Sequence, residues 1–292
     1  MNVNSTADKV FNVANAFFLC CLACLSIYPF LYTLSLSFTP ANDAAAGIVK
    51  LIPDTITLTS YKMVLGNPEI VTGYVNTILR TIIGTISTLL VTSMFAYPLS
   101  RPNMPYRKLL TFIVILTMIF HGGLVPSYLI INNLELTNNR LVYILPHLIA
   151  AFNVIIIKNF FLQIPESLCE AAKIDGANEL YIFFKIYLPL SKPVLATVGL
   201  WTAVMHWNIW FDAMIYISDD SLQVLQTFLR RIVIESNIDL AEIGASEIET
   251  SSFTPETIKA ATVIITILPM LIIYPFVQKY FVKGINVGGV KE

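Results

Sequence analysis

Charge is scarce in this chain. Only 13% of its 292 residues are Asp, Glu, Lys or Arg, and the formal net charge is −1. A soluble domain carries about 25% charged residues. No stripe of basic residues interleaved with aromatics is present, which argues against a nucleic-acid partner. Histidines number three. The four cysteines, Cys20, Cys21, Cys24 and Cys169, lack the paired spacing of a zinc site or a disulfide framework and read as packed thiols. There is no Gly-rich phosphate loop ending in Lys-Ser/Thr, which excludes nucleotide hydrolysis by this chain. There is no His-Glu-x-x-His either. Gly244-Ala245-Ser246 fits Gly-x-Ser, but it falls in a polar loop. The expectation is therefore a protein that is not an enzyme and binds no metal or cofactor of its own.

What the chain has in abundance is apolar side chain, 56% of its residues. A globular core cannot hide that share without leaving a large apolar surface. Lipid solvates it instead, and helices satisfy their own backbone there. Six runs are long enough to cross about 30 Å of hydrocarbon. They lie near 10–38, 73–98, 109–131, 141–161, 191–217 and 259–281. The first is too long for a signal peptide and no small-residue cleavage site follows it.

Orientation follows from Lys and Arg. With the N-terminus inside, the inner segments hold Lys9, Arg101, Arg107, Lys108, Lys158, Lys173, Lys185, Lys192, Lys279, Lys283 and Lys291. The outer ones hold Lys50, Lys62, Arg140, Arg230, Arg231 and Lys259. The excess of basic residues inside places both termini in the cytoplasm. The outer loops are then 39–72 and 218–258, the second rich in acids. The inner loop 162–190 is too long for a simple connection and is expected to have structure or a task of its own.

That inner loop reads as two short helices. Pro165 stands at a first helical position, with Glu166 favouring the positive helix N-terminus. Glu170-Ala171-Ala172-Lys173 is strong helix-forming sequence. Asp175-Gly176 stops it, Gly176 being free to take the left-handed cap. A second amphipathic helix is expected to turn Leu180, Phe183, Phe184 and Tyr187 to one side, closed by Pro189 and Pro193. Small residues at Ala171 and Ala172 allow close approach of another surface, and an exposed acid beside them can pair with an arginine of a partner.

The segment resembles the EAA motif of binding-protein-dependent ABC importer permeases. Glu170-Ala171-Ala172, Gly176 and Ile186-Tyr187-Leu188-Pro189 stand at the motif's spacing. Phe30-Leu31-Tyr32 with Ser35-Leu36-Ser37, Asn76-Thr77, Ala96-Tyr97-Pro98-Leu99-Ser100-Arg101, Gly122-Gly123-Leu124-Val125-Pro126, His206-Trp207-Asn208 and the tail Gln278–Gly284 are similar to the carbohydrate-uptake group that includes the maltose-importer permeases. Within it they look closest to the branch for oligosaccharides of complex polysaccharides.

This resemblance implies an all-α membrane protein with six transmembrane helices, both termini cytoplasmic, and an EAA coupling helix in the inner loop before the fifth span. It implies one transmembrane domain over 1–292 that forms half of a sugar pathway in a bacterial cytoplasmic membrane. The implied partners are a second homologous permease, two ATPase subunits that hold ATP-Mg, an extracytoplasmic sugar-binding protein and membrane lipid. Glu170 would pair with a basic residue of the ATPase. Ala171, Ala172, Asp175 and Gly176 would form the docking face. Ile186, Leu188 and Pro189 would anchor the loop to the fifth span. Loop 218–258 looks like the one that probes the sugar-binding protein, and the tail from Gln278 like a segment reaching the ATPase.

Inside the spans, Arg80 lies about two turns from the outer end of the second, either as a functional charge or snorkelling to the interface. Asp212 reads as an interfacial residue of the fifth span. Trp207, Asn208, Trp210 and Phe211 cluster in the fifth span, where aromatic faces and an amide suit either sugar contact or helix packing. His121 and His206 read as satisfied packing residues. Pro146, Pro189 and Pro269 are expected to bend their helices. The competing reading is a secondary transporter, or an importer for another polar solute, for which the EAA spacing would be coincidental or generic.

Overall fold

The computed structural model describes residues 6–234 and 253–288. Among them every regular element is helical. The helices are α1 (Thr6–Phe38), α2 (Ala41–Ala45), α3 (Thr59–Gly66), α4 (Pro68–Ser100), α5 (Arg107–Ile119), α6 (Leu124–Asn133), α7 (Ala151–Phe161), α8 (Glu166–Ile174), α9 (Glu179–Ile182), α10 (Leu188–Leu190), α11 (Lys192–Asn208), α12 (Phe211–Tyr216), α13 (Leu225–Ile234) and α14 (Pro255–Gly288). Short 3-10 turns occupy Arg140–Tyr143, Leu145–His147 and Asp220–Leu222, and Phe183–Tyr187 is a π-helical turn.

Among the described residues three stretches are long and apolar enough to cross a membrane as continuous helices: Asp8–Phe38, Pro68–Ser100 and Pro255–Pro275. Three others qualify only as bent pairs. Arg107–Ile119 with Leu124–Asn133 turns by 112°, Arg140–His147 with Ala151–Phe161 by 50°, and Glu179–Leu190 with Lys192–Asn208 by 81°. The apolar runs 109–131 and 141–161 thus each contain a bend, the second near Pro146 as expected, while the third bend lies at Ser191, where the run 191–217 begins. The reasons are local. Gly123, between α5 and α6, has φ +85°, which favours glycine. Pro146 and Pro189 stand at the other two bends, where the missing N–H breaks the ladder. Pro269, by contrast, lies inside an uninterrupted α14.

The chain divides into two compact units. One comprises residues 1–70 and 229–268. In it the Ser60 hydroxyl hydrogen-bonds Thr257 at 3.0 Å, Phe38 stacks on Tyr61 at 5.0 Å, and Arg231 pairs with Glu69 at 3.1 Å. The side chains of α1 from Asp8 through Leu31 are exposed, including Phe11, Phe17, Phe18 and Leu25, as lipid contact or a partner helix requires.

The other unit comprises residues 71–228 and 269–292. Its main core joins Ala96, Tyr97 and Leu99 of α4 to Val154, Ile157 and Phe161 of α7, Cys169 of α8, and Ile182, Phe183, Tyr187 and Val198. A second cluster joins Ile131, Leu136, Val142 and Tyr143 to Ala213, Ile217 and Val224. Both candidate sites lie within this unit.

Candidate functional site

The EAA segment forms α8 and its cap. Pro165 is the N-cap, and Glu166 opens the first turn. At the other end Gly176 has φ +83°, its N–H donates to Lys173 O at 3.0 Å, and the Ala177 N–H donates to Ala172 O at 2.9 Å. These two bonds are the Schellman pattern, which only a left-handed residue closes without strain. The expected glycine cap is present.

Cys169 is the one buried residue of α8. It packs with Tyr187, whose hydroxyl lies 3.5 Å from its Sγ. Turned outward are Glu170, Ala171, Asp175 and Gly176, with Ala172 half-buried. A concavity of about 380 Å³ lies against them, lined by Ala172, Asp175, Gly176, Ala177, Asn178 and Tyr181. Ile186 and Leu188 are half-buried against the core and Pro189 is exposed in α10.

One expectation for this loop is corrected. Leu180, Phe183, Phe184 and Tyr187 do not share one side: Phe183 and Tyr187 are buried, whereas Leu180 and Phe184 are exposed. The π-helical turn over Phe183–Tyr187 shifts the angular register that a regular helix would give.

Polar contacts tie the loop to the end of α4. Arg101 Nη1 donates to the Tyr187 hydroxyl at 2.8 Å. The Tyr97 hydroxyl donates to Glu179, and Lys173 Nζ pairs with the same carboxylate at 2.6 Å. Hydrogen bonds from Lys173 and then Tyr97 hold the Glu179 carboxyl below its ordinary range. Tyr97 and Tyr187 meet edge to face at 4.8 Å. The sequence reading missed this link. Arg101 and Tyr97 were visible in the Ala96–Arg101 run, but nothing in their spacing names a partner some 80 residues on.

The second candidate site is the fifth span. Here α11 ends at Asn208, Ile209 is extended (φ −73°, ψ 126°), and α12 restarts at Phe211. Trp207 is buried with its ring 6.3 Å from that of Tyr74. Asn208 is exposed and donates to Val204 O at 2.8 Å. Trp210 and Phe211 meet edge to face at 5.6 Å, with Phe211 exposed.

Arg80 and Asp212 depart from expectation. The sequence reading gave neither of them a partner. They are 2% and 6% exposed and form an ion pair. Arg80 Nη1 also donates to Asp212 Oδ1 at 3.1 Å and to Ile209 O at 3.0 Å, and the guanidinium lies 4.7 Å from the centre of the Tyr143 ring. The signal available in sequence was charge balance: two lone intramembrane charges of opposite sign prefer each other to lipid. His147 Nε2 stands 3.6 Å from Asp212 Oδ2. His206 is fully buried, 5.8 Å from the His147 ring, and neither of its ring nitrogens has a hydrogen-bond partner. It is packed but not satisfied. His121 is exposed between α5 and α6.

One face of α4 carries Gly73, Asn76, Thr77, Arg80 and Gly84 at helical spacing. Asn76 Nδ2 donates to Ser221 O and Gln223 O, each at 2.9 Å. The Leu225 N–H donates to Thr77 Oγ1 at 3.0 Å. A Cβ on Gly73 would stand 3.0 Å from the Leu225 nitrogen. This face accepts the irregular backbone that follows α11. Of the loop 218–258, residues 235–252 lie outside the described residues, as do Gly244-Ala245-Ser246 and the side chains of the tail 278–284.

Similarity to known proteins extends over nearly the whole chain. The family described as "binding-protein-dependent transport system inner membrane component" matches residues 70–287. The chain is 41% identical to Protein LplC of Bacillus subtilis (strain 168) over 99% of this chain and 97% of that protein. It is 39% identical to the polygalacturonan/rhamnogalacturonan transport system permease protein YtcP of the same organism, over 97% and 99%. Among solved structures, a bacterial ABC transporter involved in the import of the acidic polysaccharide alginate has a chain that superposes with a TM-score of 0.91 at 36% identity, covering 96% of this chain and 100% of that one.

Proposed function

The chain belongs to the family of binding-protein-dependent transport system inner membrane components and is a membrane-embedded permease subunit of a sugar importer, not an enzyme; from that premise we propose how its parts divide the work. Importers of this kind work with an ATPase and a binding protein. The chain sits in a bacterial inner membrane with both termini in the cytoplasm, and its spans and loops run as one transmembrane domain. The α8 segment is the coupling helix. Two ATPase subunits bind and hydrolyse ATP-Mg, a second homologous permease completes the pathway, and this chain holds no cofactor itself.

The observation that carries this reading is the outward face of α8. Glu170, Ala171, Asp175 and Gly176 are exposed, while Cys169 fixes the helix's other side in the core. A small-residue face flanked by acids suits a partner's cleft with a basic residue in it. Ile186, Leu188 and Pro189 transmit motion of the loop to α11. The Arg101–Tyr187 and Tyr97–Glu179 bonds carry it to α4.

The pathway runs past the broken fifth span, where Asn208, Trp210 and Phe211 meet cargo and Trp207 packs behind them. Arg80 supports this region; its charge is already paired by Asp212. The cargo is a uronic-acid oligosaccharide, in keeping with the polygalacturonan and alginate named for two relatives. Loop 218–258 meets the sugar-binding protein, and the tail from Gln278 reaches the ATPase.

A tagged pull-down from detergent-solubilised membranes tests the coupling assignment, with mass spectrometry of what accompanies wild type, Glu170→Lys and Gly176→Asp. An ATPase and a second permease should accompany wild type, and the ATPase should be lost from both variants. Retention of the ATPase with full ATP-dependent uptake in the variants would overturn it.

A further inference from the structure

In a continuous helix the Ala213 N–H would donate to Ile209 O, four residues back. In this chain the two groups have other partners. The Ala213 N–H donates to Asp212 Oδ1 at 2.8 Å, and Ile209 O accepts from Arg80 Nη1 at 3.0 Å. Arg80 and Asp212 are in turn paired with each other. The ion pair therefore takes up two of the backbone groups that the break in the ladder leaves open. The ladder runs up to the break and resumes after it: Ile209 N–H donates to Met205 O at 3.0 Å, and Met214 N–H to Trp210 O at 3.1 Å.

We propose that Arg80 is a positioning residue for transport, which with Asp212 keeps the fifth span open at Ile209 and so fixes how Asn208 and Phe211 are presented to cargo. The proposal rests on the reading of the break as part of the pathway.

The physical argument has two parts. A backbone carbonyl freed inside a membrane needs a donor, and Arg80 supplies it. The pair itself is a poor source of stability, because replacing a buried ion pair with apolar residues is often neutral or stabilising. What apolar residues cannot supply is the donor for Ile209 O and the acceptor for Ala213 N–H. Without them the least costly arrangement is for these two groups to bond each other, and the span closes into an ordinary helix. Nothing in Ile209-Trp210-Phe211-Asp212 forbids helix, since the stretch has no proline or glycine. The break is imposed by α4 from outside.

Arginine suits the role because its planar fork serves two acceptors at once. Lysine could pair with Asp212 while leaving Ile209 O without its donor. Gly84, one helical turn further along the same face, leaves room for His206 in the last turn of α11. The end of α11 is thereby seated beside Arg80.

The test uses the assembled transporter in proteoliposomes with trigalacturonate as probe, and two variants, Arg80→Met with Asp212→Leu, and Arg80→Lys. Size-exclusion elution reports assembly. The KM for uptake should rise about tenfold in both. Hydrogen–deuterium exchange over the peptide 207–216 should slow in the double variant as the ladder closes. Wild-type KM and unchanged exchange in the assembled variants would overturn the proposal, and so would failure of both to assemble, which would make the pair structural only. Asn208→Ala and Phe211→Ala, with Arg80 intact, separate the two ideas. If these leave KM unchanged, the pathway reading fails, while the exchange result still decides whether Arg80 holds the break. If they raise KM and the Arg80 variants do not, the positioning role fails alone.

Discussion

A methyl group added to Gly84 would stand 2.6 Å from Nε2 of His206, so the fifth span's histidine fills a notch that exists only because α4 lacks a side chain there. The ring is fully buried, with His147 facing it edge-on at 5.8 Å, so it has little room to retreat.

Gly84→Ala is therefore expected to destabilise the protein despite its better helix propensity. Overpacking of this kind costs about 1–3 kcal/mol. Thermal unfolding of the detergent-purified protein would show it as a lowered midpoint. Combining Gly84→Ala with His206→Ala should recover much of the loss, since the added methyl then enters vacated space. A loss in the double variant equal to the sum of the two single losses would show that the notch is not a shared constraint.

Helix α8 gives a prediction that separates backbone shape from surface charge. Gly176→Val forces a β-branched residue into the left-handed region, at a cost of about 1–2 kcal/mol, and should open the Schellman cap. Gly176→Asn tolerates that conformation. In a titration of the purified ATPase onto the permease, Val should weaken association about tenfold, in line with that cost, while Asn should remain near wild type. Equal weakening by both would mean that Gly176 matters for close approach of the partner and not for the shape of the cap.

The difference between these two regions explains what could be read from the sequence. The loop 162–190 was legible because its signals are local: Pro165, the Glu170-Ala171-Ala172 run and Gly176 each act on their own few residues, and the cap formed as expected. The apolar runs gave the all-helical class for the same reason. The break in the fifth span was not legible as such. At Ile209 the sequence is compatible with helix, and the interruption comes from Arg80 on another span, 129 residues away in the chain. The Phe183–Tyr187 turn failed in a related way. Its aromatic spacing suits a regular helix, but packing of Tyr187 against Cys169, Phe161 and Arg101 selects the wider π turn. Arg80 and Asp212 lie 132 residues apart on different helices, so no local signal in the sequence joins them.

Asn76 offers a sharper test of the α4 face, because its two ends do opposite work. Its Nδ2 donates to Ser221 O and Gln223 O, while its Oδ1 accepts from Arg140 Nη2 at 3.2 Å. Asn76→Ala removes both arms and leaves two carbonyls short of a donor, a loss of about 1–3 kcal/mol where the groups are buried. Asn76→Asp keeps and strengthens the contact to Arg140, but turns an acceptor toward two acceptors. If the amide's task is to hold the Ser221–Gln223 backbone, Asp should be worse than Ala, and hydrogen exchange over 218–225 should quicken most in the aspartate variant. If the task is to hold Arg140, the order reverses, with Asp close to wild type and Ala impaired. The two variants have side chains no larger than the original, so a steric explanation does not compete with either outcome.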